Sequence, residues 1–464
     1  MLVCSVSRSS LLSGKWWPKA GLGITNGPTV AEQLKKQGYH TGIIGKWHLQ
    51  GEPNKRGFDY FFGLVRGFYN YFNGSDDYRI NQKPFTGFSR NFYSTDAFTD
   101  SAIKFIKPDK NPDKEKPFFL YLNYQAPHNP LQAPKGDIMK YRGTYLKGWQ
   151  AIREARIKKQ IALGIIKEGI PLAQYPKNLP DWESLSPEQR DLQDLRMSVY
   201  AAMVERMDRG IGRLMKALEA NGQKDNTFIL FLSDNGNDSF SVLDQAMLKR
   251  GLLPGDPESN WQPGTGWAYA GATPWRLYKI SQHGGGVKTG AIAWWPSVIK
   301  NKGKIQESPL HVIDFMPTFL DMAMPGKLQK RKSQITDSLP GQSFLSLLQG
   351  KSWSRKTPMF FQYMDNRAIR TYKWSMAEVD GSGWELYDLR KDILETTDVS
   401  KQFPKVAAAL ESTWLNWWKH ESAKKEYTPE STKTSDHYKP QGDRGSGKIY
   451  QPSAMPAELS KRYK

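Results

Sequence analysis

Several polar side chains that could do chemistry come directly after apolar, strand-like runs of the sequence. They are Lys46, His48, His128, Asp234 and Asn235. Because the carboxyl ends of strands in open α/β sheets gather at one edge, we expect these side chains to lie close together. A lysine and a histidine two positions apart on an extended segment point the same way, so both could face one anion. An adjacent carboxylate and amide oxygen suit a hard cation such as Ca²⁺ or Mg²⁺.

Each of these signals also has a purely structural interpretation. Lys46 could be a surface lysine beside a hydrogen-bonded His48, and a single loop histidine such as His128 is more often structural than catalytic. The sequence Asp-Asn-Gly at 234–236 is also typical of a hairpin turn. The residues alone therefore leave an anion or metal site and ordinary structural roles as alternatives.

Cys4 is the only cysteine among 464 residues. A single thiol cannot form an intrachain disulfide, and it has no second cysteine for a thiolate metal site. Free cysteines are most often small, buried core residues. Cys4, however, lies in a serine-rich stretch that also contains Arg8. Both a core role and a chemical role stay open for it.

The composition indicates a large, basic protein with a net charge of +20. Such a field attracts polyanions, which include nucleic acid, anionic membranes and sulfated or phosphorylated substrates. The sequence contains no helix-turn-helix, zinc-finger or RNP-like motif, so we predict no nucleic-acid partner. No apolar run reaches the ~18 residues of a membrane span, so we predict none.

The pattern of elements predicts an α/β fold with a mixed sheet flanked by helices and a smaller α+β domain after it. Apolar runs at 39–45, 117–124 and 227–233 predict strands, and the last is the clearest central strand. A capping sequence at 186–189 begins a helix that is expected to reach residue 218, with a break near Gly210.

The same pattern divides the chain into three parts. Residues 1–352 are predicted to form the catalytic domain, and residues 353–422 an antiparallel sheet with a helix. Residues 423–464 are polar and basic, which predicts a mobile tail.

Two long stretches show no clear periodicity. Residues 51–97 are predicted to be an irregular excursion, and residues 236–275 a long functional loop. Aromatic residues of this loop, including Trp267, are expected to form a substrate wall. Lys279 and His283 follow the loop and are further candidates for substrate binding.

Taken together, these motifs resemble the type I sulfatases of the alkaline-phosphatase superfamily. The residues that carry the resemblance are CSVSR at 4–8 with LSG at 12–14, GY at 38–39 with GKWHL at 45–49, APH at 126–128, SDNG at 233–236 and TPWRLYK at 273–279. The resemblance covers residues 3 to about 420, and two segments, 126–165 and 264–296, are most similar to bacterial arylsulfatases. It implies an alkaline-phosphatase-like fold and the hydrolysis of an aryl sulfate or a sulfated carbohydrate.

In that family the motif cysteine is converted to formylglycine by a formylglycine-generating enzyme. By resemblance, Cys4 would become the aldehyde hydrate that attacks sulfur. Arg8 would hold this hydrate, and Lys46 would offset the negative charge that develops. His48 would remove the proton that allows sulfate to leave.

The resemblance assigns the other residues to the substrate and to a cation. His128 and Lys279 would bind the ester oxygens, with His128 the acid for the leaving alcohol. Asp234, Asn235 and the oxygen derived from Cys4 would hold a divalent cation, Ca²⁺ or, as the alternative, Mg²⁺. Asp234 could also assist deprotonation of the nucleophile.

The sequence departs from the family pattern at three places. The family's first strand ends in an aspartate pair that completes the metal shell, and this chain starts after that point. We therefore expect a truncated member that lacks one central strand. Val6 stands where proline or alanine is usual, and Gly284 stands where a glutamate is usual, so one loop contact is expected to be missing. The resemblance also implies export to the periplasm or secretion.

Two other functions are compatible with the residues. A phosphatase or phosphodiesterase of the same fold would be expected to use serine or threonine rather than Cys4. An inactive homologue that only binds sulfated polyanions would also explain the basic charge.

Overall fold

The computed structural model describes residues 3–107, 116–324, 339–379, 381–422, 427 and 450–463. The strands in the described residues are β1 His40–Lys46, β2 Tyr60–Leu64, β3 Tyr78–Ile80, β4 Lys83–Pro84, β5 Phe118–Asn123, β6 Ile229–Leu232, β7 Ala291–Trp294, β8 Met359–Tyr363, β9 Asn366–Arg370, β10 Trp374–Glu378 and β11 Glu385–Asp388. The helices are α1 Cys4–Ser13, α2 Trp17–Ala20, α3 Val30–Lys36, α4 Ser94–Phe105, α5 Lys135–Met139, α6 Gly148–Ala162, α7 Pro187–Ala220, α8 Asp244–Lys249, α9 Thr265–Gly271, α10 Gly284–Val287, α11 Phe315–Ala323, α12 Leu345–Leu348 and α13 Pro404–Glu421. The predicted α/β class, with helices around a mixed sheet and an antiparallel C-terminal sheet, is confirmed.

The main sheet has the strand order β4-β3-β2-β1-β5. Strand β1 lies between β2 and β5 and is parallel to both. Two glycines allow the three strands to approach closely: a Cβ on Gly45 would lie 1.9 Å from the carbonyl oxygen of Asn123, and one on Gly63 would lie 2.0 Å from that of Gly45. The register brings the ends of β1 and β5 to the same edge of the sheet, where Lys46 and the loop carrying His128 begin.

The stretch 51–97 is more regular than predicted. It contains β2, which pairs with β1 from Gly42 opposite Tyr60 to Lys46 opposite Leu64. It also contains β3, β4 and the start of α4. The prediction of an irregular excursion is therefore wrong, because an aromatic run interrupted by Gly63 forms a buried parallel strand.

Strand β6 is not central within the described residues. It pairs only with β7, in an antiparallel two-stranded sheet, and its Phe231 and the facing Ile292 are 43% and 65% exposed. Helix α11 brings this pair close to the main sheet, because the Phe319 ring lies 6.0 Å from that of Phe119 and 6.2 Å from that of Phe228. In the described chain, side chains of β5 and β6 thus contribute to one core, and each of the two strands has one neighbouring strand only.

Helix α7 runs from Pro187 to Ala220 without the break predicted near Gly210. Its start has the predicted capping box between Ser186 and Gln189. Gly210 serves helix packing instead, since a Cβ there would lie 2.5 Å from Oγ1 of Thr99 in α4.

The C-terminal sheet has the order β11-β10-β9-β8 and is antiparallel throughout. Strands β9 and β10 form an antiparallel hairpin within this sheet. Helix α13 packs on this sheet, with the rings of Phe360 and Trp417 stacked at 4.8 Å. None of the helices in the described residues is long and apolar enough to cross a membrane.

The predicted mobile tail is wrong for its last part, residues 450–463. The Tyr450 ring is buried and its hydroxyl accepts a hydrogen bond of 2.9 Å from Arg196. The Tyr463 hydroxyl donates to Asp256 at 3.1 Å. Apart from Tyr427, the rest of the predicted tail from residue 423 to 449 lies outside the described residues.

One buried histidine makes fold stability depend on pH. His311 is buried between the rings of Trp16 and Phe361, and burial, with help from Arg355, holds its pKa well below the ordinary value. The unfolded chain therefore binds this proton at a higher pH than the folded chain does, and stability falls as pH drops below about 6.5.

We expect the melting temperature of the wild type to fall more between pH 7.5 and pH 5.5 than that of His311→Asn. Asparagine does not titrate, and its side-chain oxygen can still accept the Ile313 N–H that His311 Nδ1 accepts at 3.4 Å. Equal losses in the two proteins would show that His311 does not take up the proton on unfolding.

Candidate active site

Helix α1 places Cys4 and Arg8 one turn apart on the same face. Both side chains are buried, at 3% and 6% exposure. Arg8 Nη1 donates to the carbonyl oxygen of Lys46 at 2.6 Å, and its Nη2 lies 3.5 Å from Oδ2 of Asp234. Arg8 therefore ties the end of β1 to the turn after β6 and fixes Cys4 between them.

The Cys4 thiol lies in a strongly cationic environment. Burial by itself would raise the pKa of this thiol, but Lys46 and Lys279, with hydrogen bonding from His128 and His48, hold its pKa well below the ordinary value. Burial also lowers the pKa of Lys46, although the Cys4 sulfur opposes that effect. The site can thus stabilise negative charge at the position of Cys4 Sγ.

His128 has a defined hydrogen-bonding role for each ring nitrogen. Its Nδ1 lies 2.8 Å from the carbonyl oxygen of Asn129, so Nδ1 carries the proton and donates it. Its Nε2 lies 3.4 Å from Nζ of Lys279 and can accept from that ammonium group. Burial first, and then Lys279 and Lys46, lower the pKa of His128, so its Nε2 is unprotonated at neutral pH until an anion enters.

His48 also contacts the thiol, and its backbone has a left-handed conformation, with φ of 55°. Burial lowers its pKa, and the hydrogen-bonding contact with Cys4 opposes this effect. Within the described residues, the buried Nδ1 of His48 and the buried Nε of Arg8 have no hydrogen-bond partner. These two atoms suit a site that accommodates additional oxygen atoms.

Lys279 is held by a strained loop on a glycine turn. The residues around it, Leu277 and Ile280, have φ of 59° and 79°, values that side chains, and β-branched ones above all, rarely adopt. A Cβ on Gly285 would lie 1.8 Å from the carbonyl oxygen of Leu277. The backbone of the glycine turn therefore packs closely against the backbone of the loop that carries Lys279. The charge of Lys279 acts on the Cys4 thiol.

The predicted cation ligands lie beside Cys4 but are few. Cys4 Sγ lies 3.4 Å from Oδ1 of Asn235, and the Asp234 carboxylate is next to Arg8. The described residues contain no group of three or more His, Cys, Asp or Glu side chains that could hold an ion. Since Ca²⁺ takes six to eight oxygens, these residues by themselves do not fit the predicted cation site.

Two predicted substrate residues lie elsewhere. Trp267 is 2% exposed, packs against Trp149 and Trp182, and donates its indole N–H to the carbonyl oxygen of Gln193. It is a core residue, because the predicted loop 236–275 contains two helices and folds back on α7. The prediction that Trp267 binds substrate is wrong.

His283 has a structural role as well. It is 1% exposed, and its Nε2 lies 2.8 Å from Oε2 of Glu385 in the C-terminal sheet. The prediction that His283 binds substrate is wrong, since its Nε2 joins the loop to the C-terminal domain and its Nδ1 lies 3.1 Å from the hydroxyl oxygen of Ser281. The adjacent Gly284 donates its N–H to Oε2 of Glu395 at 2.6 Å, so a glutamate from the C-terminal domain contacts this loop.

The sequence did not reveal two side chains next to the site. Ser7 Oγ donates to the carbonyl oxygen of Asp234 at 2.6 Å, and the Phe68 ring lies 4.8 Å from the ring of His128. Ser7 lies within the motif of Cys4 and could have been inferred from helical spacing. Phe68 lies in a glycine- and aromatic-rich segment that carries no motif.

The fold and the site define an enzyme for an anionic ester, with a buried reactive position among two lysines, two histidines and an arginine. The family model described as Sulfatase matches residues 2–325. The chain belongs to the sulfatases: it is a type I sulfatase of the alkaline-phosphatase superfamily and a sulfuric ester hydrolase.

Relatives and solved structures agree with this assignment. The chain is 34% identical to an uncharacterized sulfatase of Schizosaccharomyces pombe, over 89% of this chain and 84% of the relative. It is 30% identical to an arylsulfatase of Klebsiella aerogenes, over 70% of this chain and 75% of that enzyme. The crystal structure of Ps i-CgsB in complex with k-i-k-neocarrahexaose has a TM-score of 0.62 and 24% identity, covering 92% of this chain and 84% of that one.

Proposed function

We propose that this sulfatase hydrolyses sulfate esters of aryl alcohols or carbohydrates by means of a formylglycine made from Cys4. The observation that carries the proposal is the position of Cys4, buried on the first turn of α1 between Lys46, Lys279, His48 and His128. A thiol used only for packing would be surrounded by apolar side chains.

The surroundings of Cys4 fit a formylglycine. Arg8 Nε and His48 Nδ1 are buried and unpartnered within the described residues, and both could bond to oxygens that replace the sulfur. Formylglycine supplies a hydrated aldehyde, one oxygen of which attacks sulfur and which expels sulfate when the aldehyde forms again.

Lys46 and Arg8 provide the electrostatic part of the chemistry. Lys46 is 2% exposed, and a charge in so dry a position acts on nearby oxygens much more strongly than it would in water. Lys46 thereby stabilises the negative charge that builds up around sulfur. Arg8 is fixed by Asp234 and by the Lys46 carbonyl oxygen, and it holds the oxygens at residue 4.

The two histidines divide the proton transfers. His48, whose pKa is lowered mainly by burial, is unprotonated at neutral pH and can take a proton from an oxygen at residue 4. His128 can deliver a proton from Nε2 to the leaving alcohol once the bound sulfate anion favours its protonated form. Lys279, whose pKa is raised in spite of burial because Cys4 and two aspartates lie near it, stays charged and binds an ester oxygen.

The charge of the site and of the chain indicates the substrate class. The buried cationic site suits an anionic sulfate group, and the net charge of +20 favours polyanionic as well as small substrates. Among the structural neighbours, Ps i-CgsB was solved in complex with k-i-k-neocarrahexaose, and another was solved in complex with its substrate D-glucosamine-2-N,6-O-disulfate. We therefore propose an aryl sulfate or a sulfated glycan, with the formylglycine-generating enzyme as the partner in maturation.

The test is turnover by the full chain produced together with a formylglycine-generating enzyme. We expect hydrolysis of 4-nitrophenyl sulfate and much slower hydrolysis of 4-nitrophenyl phosphate. Faster turnover of the phosphate would favour a phosphatase. Binding to a heparin column without hydrolysis of any sulfate ester would favour an inactive polyanion-binding homologue.

A further inference from the structure

An exposed aromatic side chain lies at the rim of the otherwise buried site. Phe68 is 38% exposed, and its ring lies on His128 with 4.8 Å between centroids and 32° between planes. Its neighbour Gly67 is close to the second histidine, since a Cβ there would lie 3.5 Å from Nε2 of His48. The segment 66–71 therefore passes over both histidines of the site.

Two buried glutamines hold this segment in place. Gln125 pairs with the backbone of Tyr69, accepting its N–H at 3.3 Å and donating to its carbonyl oxygen at 2.5 Å. Gln132 accepts the N–H of Tyr71 at 2.8 Å, and the Tyr71 hydroxyl donates to the carbonyl oxygen of His128 at 2.9 Å. Phe68 is thus exposed and yet fixed relative to His128.

The position of Phe68 corresponds to the path of the leaving alcohol. Lys46 and Lys279, at 2% and 9% exposure, place the sulfate at the buried end of the site. The remainder of the ester must then extend toward solvent past His128, which protonates its oxygen. A rigid aromatic face beside that path offers a stacking surface to an aryl ring or to the C–H face of a pyranose.

We propose that Phe68 is a specificity-determining residue that stacks on the ring of the leaving alcohol. This inference rests on the proposed sulfate ester hydrolysis. Phe68 thereby selects esters of ring alcohols, aryl or pyranosyl, over esters of small open-chain alcohols. Phe68 does not contribute to binding of the sulfate group itself.

The experiment compares Phe68→Ala, Phe68→Trp and wild type in the full, matured chain. We expect Phe68→Ala to raise KM for 4-nitrophenyl sulfate about 10-fold, and Phe68→Trp to keep KM near the wild-type value. The inhibition constant of inorganic sulfate reports the buried end alone, and we expect it to stay within about twofold of wild type. Tyr372→Ala, at a side chain 84% exposed in the C-terminal domain, is the matched control and should change neither value.

Two results would overturn the proposal. An unchanged KM in Phe68→Ala would show that the ring does not touch the leaving alcohol. An equal rise in KM and in the inhibition constant of sulfate would show that Phe68 only positions His128. A wild type that hydrolyses no sulfate ester at all is a separate outcome, in which the proposed function itself fails.

Discussion

Replacing Cys4 with alanine is expected to lower kcat/KM for 4-nitrophenyl sulfate by about 10³-fold or more, the range seen when a covalent nucleophile is removed. Alanine cannot be converted to an aldehyde, so the covalent route is lost. The cationic side chains around residue 4 remain, and the variant should still bind sulfate. Steady-state kinetics with the ester and inhibition by inorganic sulfate measure both effects.

Stability controls are essential for this variant because Cys4 is buried. Alanine removes one small atom from a site lined by charged groups, so we expect a change in melting temperature of only a few degrees. Full retention of kcat/KM in a folded Cys4→Ala protein would exclude Cys4 from the reaction and leave it as a core residue.

Replacing Lys46 with methionine is expected to lower kcat/KM by about 10²-fold, the effect of losing one fixed group that stabilises transition-state charge. Methionine keeps much of the volume and removes the charge. Burial already lowers the pKa of Lys46, which means that the protein environment opposes its charge. We therefore expect Lys46→Met to fold at least as stably as wild type, since a buried charge replaced by an apolar side chain is often neutral or stabilising.

A matched control for Lys46→Met is Lys36→Met, because Lys36 is an exposed lysine at the end of α3. It should leave both kcat/KM and the melting temperature unchanged. If Lys46→Met keeps kcat/KM within about threefold of wild type, Lys46 does not stabilise the charge at sulfur. Loss of activity with a greatly lowered melting temperature would instead indicate a structural role.

The sequence could predict that the site residues lie close together, because several of them lie at or after the ends of strands. Lys46 and His128 come after two strands that are direct neighbours in the parallel part of the sheet. Asp234 is brought to the same place by Arg8, whose contact depends on helical spacing from Cys4. Strand ends and helix periodicity are local features, and the sequence expresses both.

Other features depend on partners that are remote in the sequence. The sequence around Trp267 is rich in glycine and aromatic residues, as a substrate-binding loop would be. Trp267 is a core residue because it packs against Trp149 and Trp182, which are remote in the sequence. The segment 450–463 is polar by composition. It is held in place because Tyr450 bonds to Arg196, and Arg462 and Tyr463 both bond to Asp256. Phe68 likewise has no local signal, since its position is set by the two glutamines of the His128 loop.

The most direct test of the central claim is mass spectrometry of the tryptic peptide 1–8, which contains Cys4. The protein should be produced together with a formylglycine-generating enzyme and digested without reducing or alkylating steps that would mask an aldehyde. We expect a peptide in which the thiol has been replaced by an aldehyde that reacts with a hydrazide probe. A peptide that carries only an unmodified thiol, from a preparation that hydrolyses 4-nitrophenyl sulfate, would contradict it.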